Sequence, residues 1–331
     1  MRPVRSLTQA SERDDPAPLP RARVTDVVAT VIDGAAVSRE LRARLLGELA
    51  SSRVEPGLAS VMVGDDYTAL AYERRLRRLA EAVGCRYQPE HLPADAEPAE
   101  ALATIGKLNA DPRISGILVL RPLPPQLSEV ALYPTLDPLK DIEAVHPANA
   151  GLMARGTPRF VPSTPASCFW LLDEYFRSTG RDPATALRGR TVVIVGRSHN
   201  VGKPAVWLAL DRGAIVVNCD EFASEAGRLA EFTRQADVLI VAAGSAGLVT
   251  GDMVKEGVVA IDVGINPVRD EDGRTRLVGD LDFDSVAARA EALTPVPGGV
   301  GPVTDVWLVR NAVLGAVIQH TALQIRPWPS L

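Results

Sequence analysis

The sequence predicts an α/β protein in which parallel strands alternate with helices along most of the chain. Runs such as 191–195 are continuous, apolar and β-branched, as expected of strands buried on both faces of a parallel sheet. Segments with the apolar spacing of helices separate these runs, which is the pattern of βαβ units. With 331 residues, 46% of them hydrophobic, the chain is long enough for two domains with separate cores.

A first series of elements occupies the N-terminal part of the chain. Apolar periodicity predicts a helix, a strand, two helices and a strand, over residues 38–50, 57–64, 72–80, 96–110 and 114–120. Ser38 is a candidate N-cap of the first helix. In the second helix, Tyr72 and Leu76 lie on one apolar face, and four arginines take the other sides. Residues 1–26 lack periodicity and contain several prolines, so they are predicted to form a loose arm.

A second series follows Arg188. Apolar runs predict strands over residues 191–196, 214–221, 237–244 and 258–266, and helical spacing predicts helices within 197–213 and 224–236. This order is typical of a dinucleotide-binding domain.

Composition and charge exclude several classes of protein. The net charge of −5 gives no reason to expect nucleic acid or an anionic membrane surface as a partner. No apolar run reaches the roughly 20 residues that span a bilayer, and the polar N-terminus does not match a secretory signal. Cys85, Cys168 and Cys219 lack metal-ligand spacing, so no metal site is predicted. These features predict a cytoplasmic protein.

The turn from Gly196 to Gly202 follows a predicted strand and opens a predicted helix. A glycine there lets backbone approach a pyrophosphate, and the helix N-terminus offers free N–H donors. Ser198 replaces the second glycine of the usual GxGxxG pattern, and an ordinary βα turn would fit the same residues. Gly244 and Gly264 also lie at the carboxyl ends of predicted strands, where open α/β sheets bind ligands. The pattern therefore favours NAD or NADP as a cofactor.

Six segments carry a resemblance to a known family. They read VIDGAAVS, GILVLRPLP, PLKDIEAVHPANAG, VVIVGRSHNVGKP, DVLIVAAGSAGLVTGDMVKEGVVAIDVGIN and TPVPGGVGPVT. In these segments the chain resembles the bifunctional methylenetetrahydrofolate dehydrogenase/methenyltetrahydrofolate cyclohydrolase family, over roughly residues 30 to 325. The PVPGGVGP motif is particularly specific.

The resemblance implies two α/β domains that flank a cleft, and a homodimer as the assembly. It assigns residues 27–148 and 305–328 to a folate-side domain and residues 149–304 to a Rossmann-type NAD(P)-binding domain. The implied contacts of a folate-like substrate are Tyr72, Glu143, Pro297, Gly298 and Gly299. The implied cofactor-binding residues are Gly196, Arg197, Ser198, Val201, Gly202, Asp220, Glu221, Gly244, Gly264 and Ile265.

Three positions depart from the active-site pattern of this family. The family's Tyr-x-x-x-Lys reads Tyr72-Glu-Arg-Arg-Leu76, its catalytic glutamine is Leu120, and its pterin-binding aspartate is Glu143. Leucine can neither donate nor accept a hydrogen bond, and positioned proton transfer contributes about 10²–10⁴-fold to a rate. We therefore expect weak or absent cyclohydrolase activity. Hydride transfer needs aligned ligands rather than a side-chain base, so dehydrogenase activity is expected to remain.

Nearby polar residues allow alternatives. Arg75 lies near the Tyr72 face of the helix, but it also fits a solvated member of RRLRR. Strand alternation points Arg121 away from Leu120. Glu143 is either a pterin ligand or a surface carboxylate. Tyr72 is either a stacking platform for the aminobenzoyl ring or a core tyrosine.

The segment Cys219-Asp220-Glu221 decides the expected cofactor. A carboxylate there repels a 2′-phosphate and can bind a free ribose hydroxyl, which favours NAD over NADP. Arg197 favours NADP, because the family uses that arginine for the phosphate. Two functions remain open: a NAD-preferring dehydrogenase of a methylenetetrahydrofolate-like substrate, and a non-catalytic or repurposed descendant that binds nucleotide or folate.

Overall fold

The computed structural model of the chain describes residues 29–52, 54–269 and 273–321. The predicted arm (1–26) and the end of the predicted folate-side domain (322–328) lie outside the described residues. Two parallel sheets with helices packed against them, together with one two-stranded antiparallel sheet, make up the described chain, which confirms the predicted α/β class. None of the described helices is both long enough and apolar enough to cross a membrane.

The described strands are β1 (Thr30–Val31), β2 (Gly57–Val63), β3 (Arg86–Leu92), β4 (Gly116–Val119), β5 (Thr191–Val195), β6 (Ile215–Cys219), β7 (Val238–Val241), β8 (Val259–Asp262), β9 (Asn266–Arg269), β10 (Thr275–Val278) and β11 (Ala292–Leu293). The described α-helices are α1 (Gly34–Ser52), α2 (Tyr67–Ala82), α3 (Pro98–Ala110), α4 (Glu129–Leu132), α5 (Pro147–Ala154), α6 (Ser163–Ser178), α7 (Gly202–Asp211), α8 (Glu221–Glu225), α9 (Leu229–Thr233), α10 (Phe283–Ala287) and α11 (Val300–His320).

The first sheet has the strand order β3-β2-β4, with both pairs parallel. Every residue of β2 is buried, as expected of a strand that lies between two parallel neighbours. Alternate residues of this strand face two different clusters. Leu58 and Met62 pack in the cluster that contains α2, whereas Val61 packs in the cluster that contains α3. The helices therefore cover both faces of the sheet.

The second sheet has the order β1-β11-β8-β7-β5-β6, and all its pairs are parallel. Its central strands β5 and β7 are the apolar runs predicted at 191–196 and 237–244. One segment differs from the prediction. Thr30 pairs with Ala292, so β1, which the resemblance assigned to the folate-side domain, forms an edge of this sheet instead.

Helix α11 joins the two halves of the molecule. It packs against α1, α2 and α6, and one buried cluster contains Leu76, Phe169 and Trp307 from α2, α6 and α11. The helix begins at Val300, before the predicted domain boundary at residue 305.

The segment 224–236 is not the single helix that the sequence predicted. Asp220 caps a helix that begins earlier, at Glu221, because its carboxylate accepts the N–H groups of Phe222 and Ala223. Gly227 then has φ +66°, a left-handed conformation that ends α8 before α9 begins.

Candidate active site

Leu76 and Leu120 occupy the core beneath the predicted folate site. Leu76 on α2 is 0% exposed, and Leu120, directly after β4, is 5% exposed. Both belong to one buried hydrophobic cluster, against which Tyr72 packs from a partly buried position. The two replacements thus add apolar surface to a continuous core.

Tyr72 retains its proton. Burial raises the pKa of its hydroxyl above the ordinary value, and the carboxylates of Asp305 and Glu143 raise the pKa further. The guanidinium of Arg75 lies over the ring, 5.2 Å from its centroid. The tyrosine therefore offers a neutral donor and a ring that is held by a neighbouring cation.

Arg75 is a paired residue rather than a freely solvated one. Its Nε lies 2.6 Å from Oδ2 of Asp305, and its Nη2 lies 3.2 Å from Oδ1. Asp305 on α11 is 6% exposed, and such a two-point contact fixes the plane of a guanidinium. The sequence reasoning missed Asp305, although an acid within the apolar stretch 300–318 is a signal that could have found it.

Glu143 faces the interior, so its alternative interpretation as a surface carboxylate is wrong. One carboxylate oxygen accepts the backbone N–H of Ser163 at 3.0 Å, and the other accepts its hydroxyl at 3.0 Å. Burial raises the pKa of Glu143 to about 7. The side chain is therefore partly protonated near neutral pH, and it binds the first residue of α6.

Two charged residues that precede Glu143 in the motif, Lys140 and Asp141, fix its backbone. Lys140 Nζ donates to the carbonyls of Leu108, Asn109 and Asp111 at the end of α3. The carboxylate of Asp141 accepts the N–H groups of Val145 and His146. Lys140 and Asp141 thus hold the backbone of the motif, and Glu143, whose oxygens bind Ser163, is its remaining carboxylate.

Arg121 turns away from Leu120, as strand alternation predicts. Its Nε lies 2.7 Å from Oε1 of Glu129, and its Nη2 donates to the hydroxyl of Tyr133 at 2.8 Å. With these partners it does not replace the polar group that the family has at position 120.

The turn after β5 requires both of its glycines. Gly196 has φ +115°, and a Cβ there would lie 2.3 Å from the carbonyl oxygen of Ala242. A Cβ on Gly202 would lie 2.2 Å from the carbonyl oxygen of Gly196. Ser198 accepts the N–H groups of Val201 and Gly202 at 3.2 and 3.4 Å, which closes the turn in place of a second glycine.

A cavity of about 490 Å³ opens beside this turn at the carboxyl ends of β5, β6 and β7. Arg197 crosses one wall, with Nε 3.1 Å from Oδ2 of Asp220 and Nη2 3.4 Å from Oε1 of Glu221. Its guanidinium also lies 5.1 Å from the ring centroid of Phe222. Asp220 is thus both a helix cap and an ion-pair partner, whereas Glu221 is mostly exposed to the cavity.

Asp280, which the sequence reasoning missed, holds the loop after β7. Its carboxylate accepts the N–H groups of Ala243, Gly244 and Ser245 at 2.6, 2.9 and 2.8 Å. A Cβ on Gly264 would lie 2.1 Å from Cγ of this carboxylate, so the glycine of DVGIN makes room for it.

A second carboxylate supports the first. Asp262 accepts the N–H groups of Gly264, Asp280 and Leu281, and burial raises its pKa to about 6. Ile265, a predicted cofactor contact, is exposed beside this network. A pair of acids therefore shapes the loops that bear Gly244, Gly264 and Ile265.

The motif 297–299 connects α1 to α11. Gly298 has φ +108°, and Gly299 is the N-cap residue of α11. A Cβ on Gly34, the first residue of α1, would lie 1.7 Å from the carbonyl oxygen of Gly299. Pro297 follows a cis peptide bond. The loop is therefore held between the starts of α1 and α11. The described residues contain no cluster of His, Cys, Asp and Glu side chains suited to a metal ion.

Two family models match most of the chain. Residues 32–143 match the tetrahydrofolate dehydrogenase/cyclohydrolase catalytic domain, and residues 162–320 match the NAD(P)-binding domain of the same family. The chain belongs to the tetrahydrofolate dehydrogenase/cyclohydrolase family.

Curated members of this family are similar over most of their length. Bifunctional protein FolD 3 of Rubrobacter xylanophilus is 63% identical over 290 residues, which cover 86% of this chain and 91% of the relative. The bifunctional protein FolD of Moorella thermoacetica is 43% identical over 291 residues, with 87% and 99% covered.

Solved structures of family members share the fold. The bifunctional FolD enzyme of Campylobacter jejuni has a TM-score of 0.79 and 36% identity, covering 87% of this chain and 98% of that one. The Trypanosoma brucei enzyme, solved with NADP and an inhibitor, has a TM-score of 0.80 and 33% identity, covering 89% and 99%. In this family member, Leu76 and Leu120 lie in one buried apolar cluster, and Asp220 and Glu221 line the cavity beside the turn after β5.

Proposed function

We propose that this family member oxidises 5,10-methylenetetrahydrofolate by hydride transfer, prefers NAD to NADP, and hydrolyses methenyltetrahydrofolate slowly or not at all. The observation that carries the proposal is the burial of Leu76 and Leu120 in one apolar cluster at the family's lysine and glutamine positions.

The nucleotide side fits a dinucleotide. Backbone at Gly196 and Gly202 leaves no room for a Cβ, so the turn can approach a pyrophosphate closely. A bound nicotinamide would supply the hydride acceptor. The contributions of the chain are to align the two ligands, to exclude water, and to hold the substrate against Tyr72 and Glu143. None of these tasks requires a polar group at position 76 or 120.

Hydrolysis of the methenyl carbon has a different requirement. Water must be oriented and a proton must be moved, and both tasks need donors and acceptors. Arg75 is engaged by Asp305, and Arg121 is engaged by Glu129 and Tyr133. Glu143 is the remaining candidate, because its pKa of about 7 suits a general acid or base. Retained cyclohydrolase activity through Glu143 is therefore the second candidate function.

The preference for NAD follows from the cavity wall. Arg197 is paired with both Asp220 and Glu221, so its charge is already compensated before any ligand binds. A 2′-phosphate would have to break these contacts and approach two carboxylates, whereas a ribose hydroxyl could donate to Glu221.

One pair of assays tests the proposal. Formation of reduced nicotinamide from methylenetetrahydrofolate and NAD measures the dehydrogenase, and decay of methenyl absorbance against a buffer blank measures the cyclohydrolase. We expect turnover in the first assay and little above blank in the second. No turnover with either cofactor would favour a non-catalytic or repurposed descendant. Hydrolysis as fast as dehydrogenation would contradict the loss of function at Leu76 and Leu120.

Restoring the family residues sharpens this test. Leu76→Lys alone should gain little, because a buried ammonium that faces Leu120 has a depressed pKa and no polar partner. Leu76→Lys combined with Leu120→Gln should raise methenyl hydrolysis by about 10²-fold or more, since the two groups would act as a unit. The single variants are the controls, and additive effects of the two would argue against joint action.

A further inference from the structure

The first residue of α6 holds both oxygens of the Glu143 carboxylate. Oε1 accepts the backbone N–H of Ser163 at 3.0 Å, and Oε2 accepts its hydroxyl at 3.0 Å. Ser163 is 1% exposed, whereas Glu143 keeps part of its surface accessible. An ionised carboxylate has about four acceptor positions, two on each oxygen, so each oxygen retains one that Ser163 does not use. Ser163 therefore orients the carboxylate without saturating it.

A side chain of α11 fixes Ser163 and Glu143 relative to each other. Asn311 is fully buried, and its Nδ2 donates to the carbonyls of Ile142 and Val161, both at 2.8 Å. These carbonyls belong to the residue before Glu143 and to the second residue before Ser163. One amide thus joins the backbones of the two segments. The approach of Ser163 to Glu143 is therefore set by the fold and not by the flexible side chain of Glu143 alone.

The surroundings of Glu143 act on its charge in opposite directions. Burial raises its pKa to about 7, and the two hydrogen bonds from Ser163 are the strongest influences that lower it. The N-terminus of α6, a helix of 16 residues, also favours an anion. The other titratable groups that face Glu143 are Asp141, which raises its pKa, Arg121, which lowers it less than Ser163 does, and Tyr72, which keeps its proton. Loss of the Ser163 hydroxyl would therefore favour the neutral acid.

We propose that Ser163 is a positioning residue of the folate site, which holds the Glu143 carboxylate ionised and turned so that a pterin can donate to its two free acceptor positions. The proposal rests on the proposed function, since it takes a pterin as the ligand of Glu143. The amino group and the ring N–H of a pterin are neighbouring donors, and they match one free acceptor position on each oxygen. A neutral Glu143 would present an O–H to these donors and lose one of the two bonds.

Titration of Glu143 itself tests the first half of the proposal without substrate. The full chain is isotopically labelled at the side-chain carboxyl carbon of glutamate for NMR, and the Glu143 resonance is identified by its loss in Glu143→Gln. In Ser163→Ala the titration midpoint of this resonance should rise by about one pH unit, because a hydrogen bond to the ionised form is lost. Ser163→Cys, which keeps the size of the side chain but offers a weaker donor, should raise the midpoint by less.

Ser167→Ala is the matched control. Ser167 lies one turn later on the same helix and is fully buried, but its hydroxyl donates to the carbonyl of Ser163 at 2.7 Å and not to Glu143. The titration midpoint of Glu143 should keep its native value in this variant. Thermal unfolding of the alanine variants checks that both are folded, and Ser163→Cys carries the test if Ser163→Ala is not.

The pH dependence of the dehydrogenase tests the second half. The KM for methylenetetrahydrofolate should rise toward low pH from a point about one pH unit higher in Ser163→Ala than in the native protein, which makes the KM about fivefold larger near pH 7. The kcat should change less, because Ser163 does not touch the reacting atoms. In a Glu143→Gln background, Ser163→Ala should leave the KM unchanged, since a residue that acts through Glu143 has no effect once the carboxylate is gone.

Three results overturn the proposal while leaving the proposed function intact. Equal titration midpoints in the native protein and in Ser163→Ala would show that the hydroxyl does not hold the charge. A raised midpoint with a native KM profile would show that the contact is structural only. An effect of Ser163→Ala on KM that persists in Glu143→Gln would assign it to another partner. Absence of turnover in the native protein with either cofactor would instead overturn the proposed function, and the titration midpoints would still decide whether Ser163 controls the charge of Glu143.

Discussion

The ion pair between Arg75 and Asp305 shows which contacts of a residue can be predicted from the neighbouring sequence and which cannot. The two residues are separated by 230 positions, yet they form a two-point ion pair next to Tyr72. The composition of RRLRR predicts a solvated arginine, because nothing local indicates a partner on another helix. Leu76, in contrast, was placed correctly on the apolar face of its helix, since helical spacing alone determines that face.

The preference for NAD over NADP is a prediction that depends on single residues. NAD should bind with a lower Kd than NADP, because Asp220 and Glu221 oppose a 2′-phosphate. A difference of about 1.4 kcal/mol would correspond to tenfold in affinity. Glu221→Ser should reduce the difference in Kd between NAD and NADP, since Glu221 is exposed to the cavity and does not cap a helix. Titration of both cofactors at one salt concentration measures the ratio.

Glu231→Gln is a suitable control for that titration, because Glu231 pairs with Arg228 outside the cavity. Tighter binding of NADP by the native protein would contradict the prediction and would mean that Arg197 leaves its carboxylate partners for the phosphate.

The raised pKa of Glu143 leads to a prediction that the KM for the folate substrate depends on pH. Burial favours its neutral acid and raises its pKa to about 7, so the carboxylate form, which the proposed pterin contact needs as an acceptor, predominates only above that pH. The KM for the folate substrate should therefore rise as pH falls through about 7. Glu143→Gln should raise the KM and remove this dependence, whereas Glu143→Asp, the family residue, should retain it.

The measurement is KM and kcat for the dehydrogenase as a function of pH, with Glu97→Gln as a surface control, because Glu97 is exposed and its side chain makes no capping bond. The same series discriminates the second candidate function. If methenyl hydrolysis is appreciable and its rate follows the titration of Glu143, then this carboxylate performs the proton transfer that the leucines cannot.

At the scale of helices and loops, the local sequence predicted the approximate positions of helices and strands more accurately than the residues at which they begin. The first helix starts at Gly34 rather than near Ser38, because Asp33 accepts the N–H of Ala36. Ser38 instead bonds the carbonyl of Ala35 within the helix. Gly34 also lies close to the carbonyl of Gly299, a contact that has no local signature because Gly299 is far away in sequence.

The hydrogen bonds between Asp280 and the loop that carries Gly244 allow the effect of substituting Asp280 to be predicted. Asp280 binds three consecutive N–H groups, and it is fully buried. Asp280→Asn replaces an acceptor oxygen by a donor, so at least one N–H loses its partner. The expected cost is about 1–3 kcal/mol in the free energy of unfolding, together with weaker NAD binding as the loops loosen.

Thermal unfolding and NAD titration measure the two effects. Asp284→Asn serves as the control, because Asp284 is an exposed residue on α10. An unchanged Tm and an unchanged Kd for NAD would show that the loops hold their shape without the Asp280 carboxylate.

At the scale of the whole molecule, alternation of strands and helices was sufficient to predict the class and the strands β2, β4, β5, β6, β7 and β8, but it did not predict β3 or β11. The alternation also did not predict β1. A strand of two residues is too short to show a hydrophobic periodicity, and its partner β11 is distant in the chain. The alternation gave no indication of α6, which packs between the two halves against α11. Elements whose position depends on long-range packing were the ones that the pattern could not place.

The outer strand of the second sheet leads to a prediction about assembly. β6 pairs with β5 on one side, and no other described strand pairs with its free edge. Ile215 on this strand is 58% exposed, which is unusual for a large apolar residue on an unprotected edge. Together with the homodimer implied by the family resemblance, these features favour a second copy of the chain covering β6.

We therefore expect a dimer in sedimentation velocity, and Ile215→Lys should shift it toward the monomer by placing a charge on the buried edge. Val130→Lys is the matched control, because Val130 is 85% exposed on α4, far from β6 in the fold order. If the native chain sediments as a monomer at micromolar concentration, the edge is not an interface. If the native chain is a dimer and Ile215→Lys leaves it intact, the copies meet through another surface.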